Sequence, residues 1–125
     1  MGNIVVTNNP LTFEKFEKTA KTIYDANFSH LDILIIVRDK IHQGHELLTH
    51  PLSGSIKPNE TPYKSIVISE TVKDMHFESL MIIESSISSY NKFWQNKTTP
   101  IWAEKLKLDF QLIDFDLIED SVLRC

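Results

Sequence analysis

Asp32 to Val37 reads DILIIV, an acidic residue followed by five apolar ones. A short apolar run without polar alternation is how a strand covered on both faces reads. On that reading the segment is an interior strand, and it organises the rest of the chain. Upstream, Asn3 to Thr7 (NIVVT) is a second apolar run that enters Asn8-Asn9-Pro10, so a buried strand running into a turn is expected. Between the two, Phe13, Phe16, Ala20 and Ile23 recur at steps of three and four. Thr12 is a candidate N-cap, and Glu14–Lys18 and Glu17–Lys21 form i,i+4 pairs in the better orientation. A helix ending near Asn27 is predicted.

Downstream, RDKIHQGHELLTH, from Arg38 to His50, suits a helix that buries Ile41, Leu47 and Leu48. Gly44 in its middle costs about 1 kcal/mol against alanine, so this helix is expected to be short or bent. Ser65 to Ser69 (SIVIS) predicts a third strand. From Asp74 to Lys97, the residues Phe77, Leu80, Ile83, Ile87, Tyr90 and Trp94 form one apolar helical stripe. A further helical turn is expected over Ile101 to Leu106. In LDFQLIDFDLIEDSVL the alternation around Phe110, Leu112 and Asp114 predicts a fourth strand, followed by a short tail helix. Strand and helix thus alternate throughout. The expectation is one α/β domain over residues 1–125, doubly wound, with a mostly parallel sheet of about four strands and helices on both faces.

The bulk properties narrow the function classes. The chain has 125 residues, enough to bury a core, with 42% hydrophobic and 24% charged content. No apolar run approaches the roughly 20 residues that cross a bilayer. MGNIVVTNNP lacks a basic region followed by an apolar one, so it does not read as a secretory signal, and a cytoplasmic location without membrane association is expected. The formal charge of −4 argues against nucleic acid as a partner, because phosphate neutralisation needs clustered Lys and Arg. A single cysteine, Cys125, excludes an internal disulfide framework.

In open α/β sheets ligands bind beyond the carboxyl ends of the strands. If 3–7 and 32–37 are parallel neighbours, Asn8 and Asn9 meet Arg38 and Asp39 there, and Arg38 becomes a clamp for a carboxylate or phosphate. The alternative is an Arg38–Asp39 or Arg38–Asp32 ion pair that tidies a strand end. On a helix, Asp39, His42 and His45 follow one another at steps of three, and His50 lies close by. That spacing matches no standard metal signature, and such histidines more often serve as polar positions or caps, so no metal is assigned. The connection from Pro51 to Lys64 is long for a compact domain, which marks it as a binding loop. Ser53, Gly54 and Ser55 offer hydroxyls and a turn that suits an anion, Lys57 and Lys64 add charge, and Asn59, Thr61 and Tyr63 add directional hydrogen bonds. No phosphate-loop or nucleophile-elbow pattern is present. In a parallel sheet this loop starts at the edge opposite Arg38, and its roughly fourteen residues would have to fold back to reach it. The acidic stretch Asp109 to Asp120 offers Asp114 and Asp116 as a carboxylate pair or, more simply, as a solvated strand end.

TNNP at Thr7–Pro10, VRDKIHQGHELLTHPLSGSIKPNETPYKS at Val37–Ser65 and DFQLID at Asp109–Asp114 together resemble the GrdX family, small proteins encoded with glycine, sarcosine and betaine reductases of amino-acid-fermenting anaerobes. The resemblance implies a cytoplasmic protein of that pathway and assigns no catalytic residue or cofactor. Three functions follow. An accessory protein would bind a small anionic metabolite or a reductase component through Asn8, Arg38 and the 51–64 loop. An enzyme would act on a phosphate- or carboxylate-bearing substrate with His42, His45 or His50 as acid or base. A regulator of the gene cluster is disfavoured by the acidic charge and the lack of a helix-turn-helix pattern.

Overall fold

The computed structural model describes residues 2–51, 62–94 and 104–123. The element order is β1 (Asn3–Thr7), α1 (Pro10–Phe16), β2 (Lys21–Tyr24), α2 (His30–His42), β3 (Ser65–Ser69), α3 (Phe77–Trp94) and α4 (Glu104–Leu123). The strands form one mixed three-stranded sheet in the order β2-β1-β3. β1 pairs parallel with β2, from Ile4 opposite Lys21 to Thr7 opposite Tyr24. It pairs antiparallel with β3, from Asn3 opposite Ser69 to Thr7 opposite Ser65. The expected doubly wound domain with about four mostly parallel strands is therefore wrong.

Its error starts at DILIIV, which lies inside α2 and is not a strand. Ser29 caps this helix. Its hydroxyl accepts from Asp32 N at 3.0 Å while Asp32 Oδ2 accepts from Ser29 N at 2.9 Å, a reciprocal capping box. Ile33, Leu34, Val37 and Ile41 are buried at helical spacing, while Ile35 and Ile36 are half-buried flanks. A six-residue apolar window is compatible with both periods, and the cap three residues upstream decides between them. The helix ends at His42, so the expected helix over 38–50 is only the last turn of α2. Gly44 then turns the chain at φ 110, a backbone region that favours glycine.

The N-terminal helix is also shorter than its periodicity implies. Asn9, not Thr12, is its N-cap, with the side chain accepting from Leu11 N and Pro10 at the first turn. α1 stops at Phe16, and Ile23 belongs to the edge strand β2. Tyr24 of that strand stacks on Phe13 of α1 with ring centroids 4.5 Å apart. At the other end of the chain, the alternation read as a fourth strand lies within α4. Leu108, Leu112 and Ile113 are exposed, while Phe115, Ile118 and Val122 are buried. Apolar residues on several sides blur the helical stripe, so the local pattern misleads.

β1 is the central strand and is buried at every position, which explains its continuous apolar sequence. On one face of the sheet, Ile4, Val6, Ile66 and Ile68 pack with Ile33, Leu34, Val37 and Ile41 of α2 and Ile83 of α3. On the other, Val5 and Val67 pack with Phe16 of α1 and with Phe115, Ile118 and Val122 of α4. Each such fully buried aliphatic side chain contributes about 1.5–3 kcal/mol. β3 runs against β1, so the chain must return to the carboxyl end of β1 before β3 begins. It does so through residues 46–49. Leu47 bridges to Ile68, and Val67 O accepts from Leu48 N at 2.9 Å. The segment before β3 therefore ends beside Asn8 and Asn9, without the fold-back that a parallel sheet required.

The capping box makes the helical assignment testable. Ser29→Ala is expected to lower stability by about 1 kcal/mol in urea unfolding. A neutral result would remove the cap that separates helix from strand in this segment.

Candidate functional site

At the carboxyl end of β1 the sequence places Thr7-Asn8-Asn9, three polar residues that are all buried. Each is held by bonds to a different part of the chain. Asn8 Nδ2 donates to Phe28 O and to Pro62 O, both at 3.0 Å, and Asn8 Oδ1 accepts from Lys64 N at 2.8 Å. One amide thus ties the ends of β1 and β2 to the start of β3. Asn9, while capping α1, donates through Nδ2 to Gln111 O and to Asp114 Oδ2, both at 2.9 Å. This joins α4 to the same point.

Asp114 is the centre of the cluster and is 5% exposed. Besides Asn9, Ser65 Oγ donates to Asp114 Oδ2. The Ser65 and Thr7 hydroxyls lie 2.7 Å apart, either able to donate, Thr7 Oγ1 also donates to Lys64 O at 3.1 Å, and Thr12 Oγ1 lies 3.3 Å from Ser65 Oγ. Thr7 Oγ1 in turn accepts from Asn9 N at 2.9 Å. Lys64, 4% exposed, is buried at the same strand end, where its charge is felt by Asp114. Tyr63 Oη accepts from Gln111 Nε2 at 2.9 Å and extends the cluster toward the surface.

Two ionisable groups in a desolvated place perturb one another. Burial lowers Lys64 to about 8 from 10.5, against the pull of Asp114 in the opposite direction. Burial also raises Asp114, opposed by the hydrogen bonds from Ser65 and Asn9 and by the Lys64 charge. A buried lysine whose pKa is lowered, in the field of a buried carboxyl whose pKa is raised, is a perturbed pair of the kind that concentrates at functional sites. A crevice of about 270 Å³ lies at the opposite end of the sheet, lined among others by Gly44, Glu46, Lys73, Asp74 and His76. Its rim side chains Glu46, Lys73 and Asp74 are exposed, whereas Lys64 and Asp114 are buried. The cluster is the stronger candidate on that physical ground.

Of the residues singled out by sequence, the structure brings together Asn8, Asn9, Tyr63 and Lys64. Arg38 and Asp39 lie on α2, about 15 Å of helix from Phe28, the point that Asn8 holds. There Arg38 Nε is 3.7 Å from Asp39 Oδ1, and Arg38 Nη1 is 3.9 Å from Glu84 Oε1 of α3. His42 and His50 are exposed. His45 is buried at the other end of the sheet, where its Nδ1 meets Ser69 O at 2.7 Å. Ser53, Gly54, Ser55, Lys57, Asn59 and Thr61 lie outside the described residues. Among the described residues no three His, Cys, Asp or Glu side chains are grouped as a metal ion requires.

Sequence reasoning does not mark Thr7, Thr12, Ser65 and Gln111 as site residues, and it offers Asp114 only as half of a strand pair with Asp116. On a helix those two carboxylates point apart, and Asp114 is buried while Asp116 is exposed. The signal that finds Asp114 is its place among Gln111, Phe115, Ile118 and Val122. It is an acid inside the buried stripe of α4.

A sequence model of the family described as GrdX-like protein matches residues 4–123, nearly the whole chain. No curated protein and no solved structure matches it. No helix among the described residues is long and apolar enough to cross a membrane.

The lowered Lys64 sets a pH dependence of stability. Between about 8 and 10.5 the unfolded lysine is charged and the folded one neutral, so the unfolded state binds more protons and stability rises with pH. Below that window both states are protonated, and the full cost of burying the ammonium is present. Urea unfolding of the wild type and of Lys64→Met across the window is expected to show the wild type gaining up to about 3 kcal/mol on the variant. A constant difference would mean that Lys64 is not held neutral.

Proposed function

This chain belongs to the GrdX-like family, and on that premise we propose that it is an accessory protein of the glycine, sarcosine and betaine reductase system that binds a small anionic metabolite beside Lys64. One observation carries the reading. The fold buries a lysine and a carboxyl together at the carboxyl end of its central strand, although neither is needed to close the apolar core. Asn9 and Ser65 bond to the carboxyl, Asn8 bonds to the Lys64 main chain, and Tyr63 bonds to Gln111 of α4. Such pre-organised polar groups favour a small ligand with one or two charged ends. A reductase component that presents an acidic or phosphorylated group is the macromolecular form of the same recognition.

The competing reading, an enzyme with a histidine acid or base, has less support. His45 is turned toward the Ser69 carbonyl at the far end of the sheet, and His42 and His50 stand on the surface. None of the three joins the buried pair.

The test is a thermal-shift panel with glycine, acetyl phosphate, a nucleotide and a divalent metal, followed by titration calorimetry of any compound that responds. An anionic compound is expected to raise the melting temperature, and Lys64→Met to weaken its binding at least roughly tenfold with the circular dichroism unchanged, as loss of a charge-assisted contact requires. No shift with any compound, or equal affinity in the variant, removes the assignment.

A further inference from the structure

We propose that the crevice at the amino end of β1 binds a small zwitterion, an α-amino acid with its amino and carboxyl groups free. It is a second site, independent of the Lys64 reading. The start of β1, the chain between α2 and β3, and the turn from β3 into α3 converge there. Hydrogen bonds lock these stretches together. Glu46 N donates to Ser69 Oγ and Glu46 O accepts from Ser69 N, both at 2.8 Å. Gly44 O accepts from Lys73 N at 3.0 Å, and a Cβ at position 44 would run into the Lys73 carbonyl. The volume of about 270 Å³ falls just under the roughly 300–1,000 Å³ of ordinary ligand pockets, which suits a metabolite of amino-acid size.

Charge decides the class of ligand. Two carboxylates, Glu46 and Asp74, and one ammonium, Lys73, line the crevice. Among the described residues, none of these three side chains is engaged in an ion pair or a hydrogen bond. Charges of both signs thus share one small crevice and stay open to a ligand. A plain anion meets repulsion from the two carboxylates, and a plain cation meets it from Lys73. A molecule that carries both charges satisfies both signs.

His76 adds a directed donor. Its Nδ1 accepts from Ser79 N at 3.3 Å, so the proton of the neutral ring sits on Nε2. Ser79 Oγ donates to the same Nδ1 at 2.7 Å and accepts from Leu47 N at 3.0 Å, which ties the ring to the facing stretch of chain. The ligand carboxylate is assigned to His76 Nε2 and Lys73, and its ammonium to Glu46 and Asp74.

The experiment is an amide NMR titration of the isotope-labelled full chain with L-alanine, L-serine, propionate and ethylamine. The last two each keep one charged end of alanine. The amides of Gly44, Glu46 and Lys73 are expected to shift saturably with at least one amino acid, while those of Asn8, Asn9 and Ser65 stay in place. Propionate and ethylamine are expected to bind at least roughly fivefold more weakly, and Lys73→Met and Glu46→Gln to weaken the amino acid by a similar factor. Both side chains are exposed, so neither change threatens the fold. Propionate or ethylamine binding as tightly as the amino acids overturns the assignment, and so does unchanged affinity in both variants. Shifts confined to Asn8, Asn9 and Ser65 place the amino acid at the Lys64 cluster and overturn the crevice, as does a titration without saturation. Because the readout is resolved by residue, failure here leaves the Lys64 reading standing.

Discussion

The side-chain amide of Asn8 ties this fold together. Its two donors and one acceptor bond to the chain after β2 and to both sides of the turn into β3. Buried in place, an amide with these three bonds made costs little, while one left open would cost about 1–3 kcal/mol per lost partner. The arrangement exists only because β3 runs antiparallel to β1. That direction brings Pro62 to Ser65 to the end of β1, and with them the lysine and the serine of the candidate site.

α4 completes the site from the opposite face of the sheet. Its inner side is apolar through Phe115, Ile118 and Val122, yet it carries Asp114 into contact with Asn9 and Ser65. An apolar residue in place of Asp114 would extend the same core, and replacing buried charged pairs in that way is often neutral or stabilising. The helix therefore bears an electrostatic cost that its packing does not require. Lys64, just before β3, bears the matching cost, and the two offset one another in part through their mutual attraction. The concentration of both in one place is the physical basis for reading it as functional.

Much of the fold was legible where local pattern and tertiary environment agree. β1 and β3 are buried on both faces and read as apolar runs, and α3 shows a stripe whose Leu80, Ile83, Ile87 and Tyr90 pack as their spacing implies, although Phe77 at its start is exposed. The errors fall where one pattern serves two structures. DILIIV is apolar enough for a buried strand or a buried helix, and only Ser29 with Asp32 argues for the helix. In α4, exposed Leu108, Leu112 and Ile113 beside buried Phe115 imitate alternation. Of the candidate site, Asn8, Asn9, Tyr63 and Lys64 stood out by residue type and by position in an irregular segment. Thr7 and Ser65 did not, because they pass for the ordinary ends of strands.

The amino-acid sequence by itself determined the family, the apolar segments and the polar hinge Thr7-Asn8-Asn9-Pro10, since each is a matter of local composition and spacing. Tertiary structure alone decided the direction of β3 and brought Lys64 within electrostatic reach of Asp114. Residues 50 positions apart come within that reach only after two helices and a sheet have been packed. Strand direction depends on where the intervening chain can bury its apolar surface. That is a property of the whole packed core, and no window of neighbouring residues contains it.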